Sequence, residues 1–220
     1  MLLIFDCDGV LVDSEHLACM IDADYLTSLG IPFTAEESAR RFIGMSLKDM
    51  RADLAREFGD RVPADFSDQL TRRTLERFAI ELLPIDGARD AILSLAQPRC
   101  VASSSTPERI AASLATAKLI DLFDDKIYSS TMVARGKPAP DIFFHAAKEM
   151  ACEPRDCVVI EDSLHGVAGA TAAYMRVIGF VGGTHIADKR AHAEKLRNAG
   201  AHVVIHHMRE LGGAIDQIAR

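Results

Sequence analysis

Two patterns of apolar positions alternate along this chain. The first is the short run: Leu2–Phe5, Cys100–Ala102 and Cys157–Ile160 are wholly apolar, and Arg176–Val181 and His202–Ile205 are nearly so. Runs of this length, bounded by turn residues and lacking a polar face, are the mark of strands buried on both sides of a parallel sheet. Lys126–Tyr128 gives a weaker strand of the same kind. The second pattern is helical and fills the gaps. A helix is predicted over Gly87–Ala96, another from Thr106-Pro107, another over Pro140–Met150, and a charged one between the last two strands. Threonine followed by proline is a helix start, because threonine caps and proline suits the first turn. Ser163 caps a helix rich in Gly166, Ala168, Gly169 and Ala170, small enough to lie close on a sheet. Strand and helix in alternation predict an α/β fold with a doubly wound parallel sheet.

One segment breaks the alternation. After Ser14 and Glu15, Leu17, Ile21, Tyr25 and Leu29 recur every four residues until Gly30. From Pro32 to about Leu83 come candidate helices at 35–41, 46–58 and 64–80, rich in Arg, Asp and Glu. A parallel crossover needs only one helix. The segment therefore reads as an all-helical insertion over 15–84, with residues 1–14 and 85–220 forming the α/β core. Its position in the chain suggests a lid, with hinges at Val12–Glu15 and Leu82–Asp86.

At 220 residues the chain can bury a sizeable core. A net charge of −7 provides no electrostatic footprint for nucleic acid or an anionic membrane. If the substrate is phosphorylated, it must be met by a few local cationic or backbone groups. No apolar run approaches a membrane span, and no signal peptide precedes the first strand. The five cysteines form no Cys-x-x-Cys pair and read as small hydrophobes of a reduced cytoplasm.

Ligands of open parallel sheets bind beyond the carboxyl ends of the strands, and there the chemistry-bearing residues gather. Asp6 and Asp8 follow the first run, Ser103 the second, and Glu161 with Asp162 the run at 157–160. Lys137 sits in the stiff loop Gly136-Lys137-Pro138-Ala139-Pro140. Carboxylates at i and i+2 after a buried strand are costly unless a cation or a reaction uses them. Gly9 gives the chain freedom to turn around them. Asp6, Glu161 and Asp162 with a backbone carbonyl would make a hard oxygen site suited to Mg2+. A carboxylate can attack phosphorus, and Asp8 could protonate the leaving oxygen and then deprotonate water. Ser103, Lys137 and backbone amides near Gly9 would hold the phosphoryl oxygens.

The stretches LLIFDCDGVLVDSE, VASSST, GKPAPD and VVIEDS, in that order and spacing, resemble the haloacid dehalogenase superfamily. The likeness covers nearly the whole chain and is strongest to the branch holding β-phosphoglucomutase and small phosphosugar phosphatases. It implies a Rossmann-like core with an inserted helical cap and Mg2+-dependent phosphoryl transfer. Asp6 would be the nucleophile and Asp8 the acid/base, which also lends the metal its main-chain carbonyl. Ser103 and Lys137 would be the second and third motifs, with Glu161 and Asp162 the metal-binding fourth. Asp8 argues against dehalogenases, which lack it, and against phosphonatases, which place a small residue there. Mutases of this branch carry a cap histidine and an arginine after a Gly-x-Ser turn; Ala18 and Leu47 occupy those places, although His16 and Lys48 lie nearby. A phosphatase is the reading, with a phosphosugar mutase as the alternative. The expected substrate is a small phosphosugar or sugar-acid phosphate, met by Gly9, Gly44, Ser46, Ser104 and Ser105, and the protein is expected to be a cytoplasmic monomer. A catalytically idle binding protein on the same fold would have lost Asp6, Asp8 or Lys137, and none is lost.

Other candidates are weaker. His202, His206 and His207 read as a solvated strand end, and His165 as a structural histidine in a first helical turn. Gly182-Gly183-Thr184-His185 lies at another strand end, where it could border the site, but it reads as a simple turn. Gly136-Lys137 lacks the upstream glycine of a phosphate-binding loop.

Overall fold

A computed structural model describes residues 1–43, 45 and 47–219. The chain divides into two compact units, one of residues 1–13 with 83–220 and one of residues 14–82.

The larger unit holds six strands: β1 (Leu2–Phe5), β2 (Arg99–Ser103), β3 (Ile127–Ser129), β4 (Cys157–Glu161), β5 (Arg176–Phe180) and β6 (Val203–Ile205). They form one sheet in the order β3-β2-β1-β4-β5-β6, and every pairing is parallel. This is the doubly wound order in which the direction of winding reverses at β1. The crevice where a ligand has room lies beyond the carboxyl ends of β1 and β4, where the order switches. The wholly apolar sequence of β1 follows from its place. It is paired on both edges and covered on both faces, and none of its four residues exceeds 1% exposure.

Helices cover both faces. On one, Leu2, Ile4, Cys100, Ala102, Cys157 and Val159 pack with residues of α7 (Asp141–Glu149), α8 (Leu164–Ala172) and α9 (Lys189–Ala199). Alternation sends Leu3 and Phe5 to the other face, where Phe5 meets Phe123 edge-on at 5.8 Å. The remaining helices of this unit are α5 (Ala88–Leu93), α6 (Pro107–Thr116) and α10 (Leu211–Ala219). Helix α10 has no counterpart in the sequence reading: Gly212 and Gly213 in its first turn mask its helical signal, yet it buries Leu211, Ala214 and Ile215. Helix α5 is shorter than its expected span and ends at Leu93. All five cysteines are free thiols, four of them buried.

The smaller unit is helical: α1 (Ser14–Ser28), α2 (Ala35–Phe42), α3 (Leu47–Phe58) and α4 (Phe66–Glu81). Ser14 is itself the first helical residue of α1, and Gly30 at φ +73 ends the helix's exit turn. Thr34 and Glu37 close a reciprocal capping box at the start of α2. Tyr25 of α1 stacks on Phe66 of α4 at 5.1 Å, and Ser38 of α2 donates to Asp22 of α1 at 2.9 Å. Arg41 is clamped by Asp53 and Glu57, at 2.8 and 2.6 Å. That explains the charge-rich sequence of the insertion: part of the charge is spent tying its helices together. No helix among the described residues is long and apolar enough to cross a membrane.

Candidate active site

The chain leaves β1 in a tight loop. The amides of Leu11 and Val12 donate to the Cys7 carbonyl at 2.9 and 3.1 Å, and the Gly9 amide donates to the Val12 carbonyl at 2.8 Å. The Gly9 amide, expected to face a phosphate, is therefore engaged in closing the loop. Glycine is needed there for two other reasons. Its φ is +77, and a β-carbon on it would lie 2.0 Å from Asp162 Oδ2.

Asp6, Glu161 and Asp162 converge at the carboxyl ends of β1 and β4, all buried, with one ligand oxygen of each within 4.8 Å of the others. Lys137 enters among them from the loop before α7. Its ammonium donates to Asp6 Oδ1 at 2.7 Å, to Glu161 Oε1 at 2.6 Å and to the Ala102 carbonyl at 3.0 Å. An ammonium has three donors, so all three are engaged with protein acceptors. Lys137 thus holds the carboxylates in place, and a phosphoryl oxygen would have to compete for it. Burial alone would depress the Lys137 ammonium, but Asp6 and Glu161 overcome it and raise it above its ordinary value.

Glu161 is fully buried and its second oxygen is also committed. Oε2 accepts from the Ser163 amide at 2.8 Å and from the Ser163 hydroxyl at 3.0 Å, while that hydroxyl oxygen caps α8 by accepting from the Gly166 amide at 3.0 Å. The helix cap foreseen at Ser163 is thus also the anchor of Glu161. Burial first, and then Glu161, Asp162 and Asp8 against the opposing Lys137, lift the Asp6 carboxyl well above the usual range. Burial and Glu161 do the same to Asp162. Three carboxylates around one ammonium leave a buried negative charge, and a cluster of oxygen donors with that imbalance fits a hard metal ion.

Asp8 faces elsewhere. Ser105 Oγ donates to its Oδ2 at 2.7 Å, and Arg109 Nη2 lies 3.3 Å from its Oδ1. The Ser105 loop is itself braced: its amide donates to Ser103 Oγ at 3.1 Å, Ser129 Oγ donates to its carbonyl at 2.7 Å, and Ser130 Oγ donates to the Ser104 carbonyl at 2.9 Å. Ser103 is fully buried and Ser104 is exposed. Asp6 and Asp8 therefore sit in different surroundings, one beside a lysine in the acidic cluster and the other held by a hydroxyl and a guanidinium. Gly44 and Ser46 lie outside the described residues.

The structure adds residues that the sequence reading did not assign to the site. Arg109 and Ser129 reach Asp8 directly and through Ser105. His185 Nε2 lies 3.3 Å from Asp162 Oδ2, and His192 Nε2 donates to the Asp162 carbonyl at 2.7 Å. Arg109 could have been found as the first-turn residue of a helix starting at a strand end. By contrast, His202 accepts the Val177 amide at 3.2 Å, a structural bond at the sheet.

The chain as a whole has relatives among known proteins. A family model described as haloacid dehalogenase-like hydrolase matches residues 1–173. The 6-phosphogluconate phosphatase of Escherichia coli is 31% identical over 182 residues, covering 82% of each chain. A solved haloacid dehalogenase-like protein of Agrobacterium tumefaciens is 39% identical with a TM-score of 0.86, over 100% of this chain and 99% of its own. A solved family hydrolase of Deinococcus radiodurans, with bound phosphate and sodium, is 31% identical with a TM-score of 0.81, over 99% of this chain and 95% of its own. The family match over most of the chain, the identities and the coverage of most of both chains lead to one conclusion: this chain belongs to the haloacid dehalogenase-like hydrolases and is a phosphoric monoester hydrolase.

Proposed function

We propose that this enzyme hydrolyses a small phosphosugar or sugar-acid phosphate through an aspartyl phosphate on Asp6, with Mg2+ as its metal. The observation that carries the reading is the division of labour between the two loop carboxylates. Asp6 is fixed by Lys137 inside the acidic cluster, while Asp8 is held apart by Ser105 and Arg109.

Asp6 attacks phosphorus, the bond from phosphorus to the ester oxygen breaks, and a proton from Asp8 goes to that oxygen, which leaves as an alcohol. Asp8, now ionised, takes a proton from water as the water attacks phosphorus. The bond from phosphorus to Asp6 breaks and inorganic phosphate leaves. Lys137 keeps Asp6 aimed during both steps, and Glu161, locked by Ser163, keeps Lys137 in place. Ser103 braces the loop from which the Ser105 hydroxyl holds Asp8. Asp6 and Asp162 would hold Mg2+, together with the Asp8 carbonyl expected from the family pattern. Glu161, whose oxygens face Lys137 and Ser163, acts on the centre from outside. When bound, Mg2+ supplies positive charge that lets a phosphate dianion approach a carboxylate.

The choice of sugar-acid phosphate draws on the relative that acts on 6-phosphogluconate. Residues 15–84 are assigned the reading of the substrate's organic part. Five free thiols suit a cytoplasmic setting, and a monomer is the working assembly. The test is a panel of sugar and sugar-acid phosphates with Mg2+, followed by release of inorganic phosphate. Turnover of at least one such ester that stops with EDTA supports the reading. Full activity in chelated protein overturns the metal, and transfer of the phosphoryl group to a sugar instead of water overturns hydrolysis in favour of a mutase.

A further inference from the structure

Asp162 is the member of the acidic cluster farthest from Lys137's reach: no bond joins the two, whereas Lys137 bridges Asp6 and Glu161. Something else must fix its orientation, since a carboxylate held only by its backbone can rotate about its side-chain bonds. The segment after β5 supplies the partners. His192, in the first turn of α9, donates to the Asp162 main-chain carbonyl at 2.7 Å, and His185 faces the side chain with Nε2 3.3 Å from Oδ2. The His185 and Asp162 side chains are nearly buried, at 12% and 7% exposure.

The loop that carries His185 is built to put it there. A β-carbon on Gly183 would lie 2.7 Å from His185 Nδ1 and 3.3 Å from the Gly9 carbonyl, so a side chain at 183 would push the ring from its place. A β-carbon on Gly9 would lie 3.1 Å from His185 Cε1 as well as 2.0 Å from Asp162 Oδ2. The ring therefore stands against both Gly9 and Asp162. The Thr184 amide donates to Asp13 Oδ1 at 3.2 Å, which ties this loop to the end of the loop bearing Asp6 and Asp8. Lys189 donates to the Gly182 carbonyl at 3.2 Å and closes the other side.

We propose that His185 is a positioning residue of the metal centre, setting through Nε2 the orientation in which Asp162 presents its carboxylate to the cation. The inference rests on the reading of Asp162 as a metal ligand. Partners of ligating carboxylates tune metal affinity by about 10- to 100-fold, so the effect is large enough to measure without turnover.

The experiment is calorimetric titration of the full-length protein with Mg2+ alone, on the parent, Asp162→Asn, His185→Gln and His185→Asn. Glutamine places an amide N–H where the imidazole has Nε2. Asparagine stops short, near the Nδ1 position. His185→Asn is expected to weaken Mg2+ binding about 10- to 100-fold, with His185→Gln close to the parent and the metal-free melting temperatures of both near it. In turnover assays His185→Asn should need more Mg2+ and reach the parent plateau once saturated. Loss of binding in Asp162→Asn together with parent-like affinity in both histidine variants overturns the role of His185 and leaves the metal centre standing. A parent that binds no Mg2+, or an Asp162→Asn variant that binds as the parent does, overturns the metal reading and this inference with it. Equal weakening in both histidine variants also overturns it, because a packing role cannot distinguish glutamine from asparagine by reach.

Discussion

Gly166 and Glu161 occupy one space: a β-carbon on Gly166 would lie 1.6 Å from Glu161 Oε1 and 1.9 Å from its Cδ. Gly166 of α8 is therefore a clearance for the carboxylate that holds Lys137. Gly166→Ala must push Glu161 aside or move the helix. Overpacking of this kind costs about 1–3 kcal/mol, but the loss of activity should exceed the loss of stability, because a displaced Glu161 releases Lys137 and with it Asp6. A melting curve alongside kcat measures both. A variant that loses stability and keeps kcat would show that Glu161 does not govern the site.

The hydroxyl that holds Asp8 gives a second expectation. Ser105→Ala removes the 2.7 Å bond to Asp8 Oδ2, and bonds to charged groups contribute about 1.5–3 kcal/mol. If the whole of this is expressed in the transition state, kcat falls roughly ten- to a hundredfold. Ser129→Ala, one bond farther out at the Ser105 carbonyl, should fall less. The order of the two kcat values is the check, and Ser129→Ala as the slower enzyme would break the proposed chain from Ser129 through Ser105 to Asp8.

The acidic cluster makes a statement about pH. Burial and neighbouring carboxylates raise Asp6 and Asp162 in the folded protein. A group raised on folding contributes stability below its unfolded value, about 3.9 for aspartate, and loses that contribution as pH rises through its folded value. Metal-free protein is thus strained by this cluster on the neutral side, and a cation binding there must displace protons on the acid side. The rise in melting temperature produced by Mg2+ should grow with pH from mildly acid to neutral conditions. Asp162→Asn should abolish that rise while raising the metal-free melting temperature, at about 2–4 °C per kcal/mol for a chain of this size. A Mg2+ effect independent of pH would exclude these carboxylates as its seat.

Most of the fold was legible because strands paired on both edges cannot hide. Leu2–Phe5 and Cys157–Ile160 must be apolar throughout, and the polar residues that end them mark the site. What escaped was what only folding brings together. Arg109 and Ser129 reach the site only on folding: the start of α6 brings Arg109 to Asp8, and the pairing of β3 with β2 brings Ser129 to Ser105. Gly166 read as a small residue for close packing, which is true but incomplete, since its neighbour is a carboxylate. His185 read as part of a turn, and the turn is there, but its purpose depends on Gly9 and Asp162 arriving from distant parts of the chain. Helix α10 was missed for a local reason, the paired glycines at its start.

Asp6 and Asp8 differ in a way that one substrate can separate. Asp6→Asn removes the nucleophile and a partner of Lys137, so turnover should fall to background with every ester. Asp8→Asn leaves the nucleophile and the acidic cluster in place and removes the acid/base, worth about 10²- to 10⁴-fold. The size of that loss depends on the leaving group. A sugar alkoxide needs a proton to depart, so with a phosphosugar the first step itself stalls. p-Nitrophenolate departs without one, so Asp8→Asn should still transfer phosphoryl from p-nitrophenyl phosphate to Asp6. The second step still needs a base for water, and the enzyme should stop there. Rapid-quench measurement should show a burst of about one p-nitrophenol per active site, the pattern of an accumulating covalent intermediate, followed by a slow steady state. Acid-quenched protein from the burst should carry phosphate on Asp6, located by mass spectrometry after borohydride reduction of the acyl phosphate. A burst in the Asp6→Asn protein, or label on Asp8, would reverse the two roles. A parent-like steady state in Asp8→Asn with p-nitrophenyl phosphate would mean that water is activated by another group.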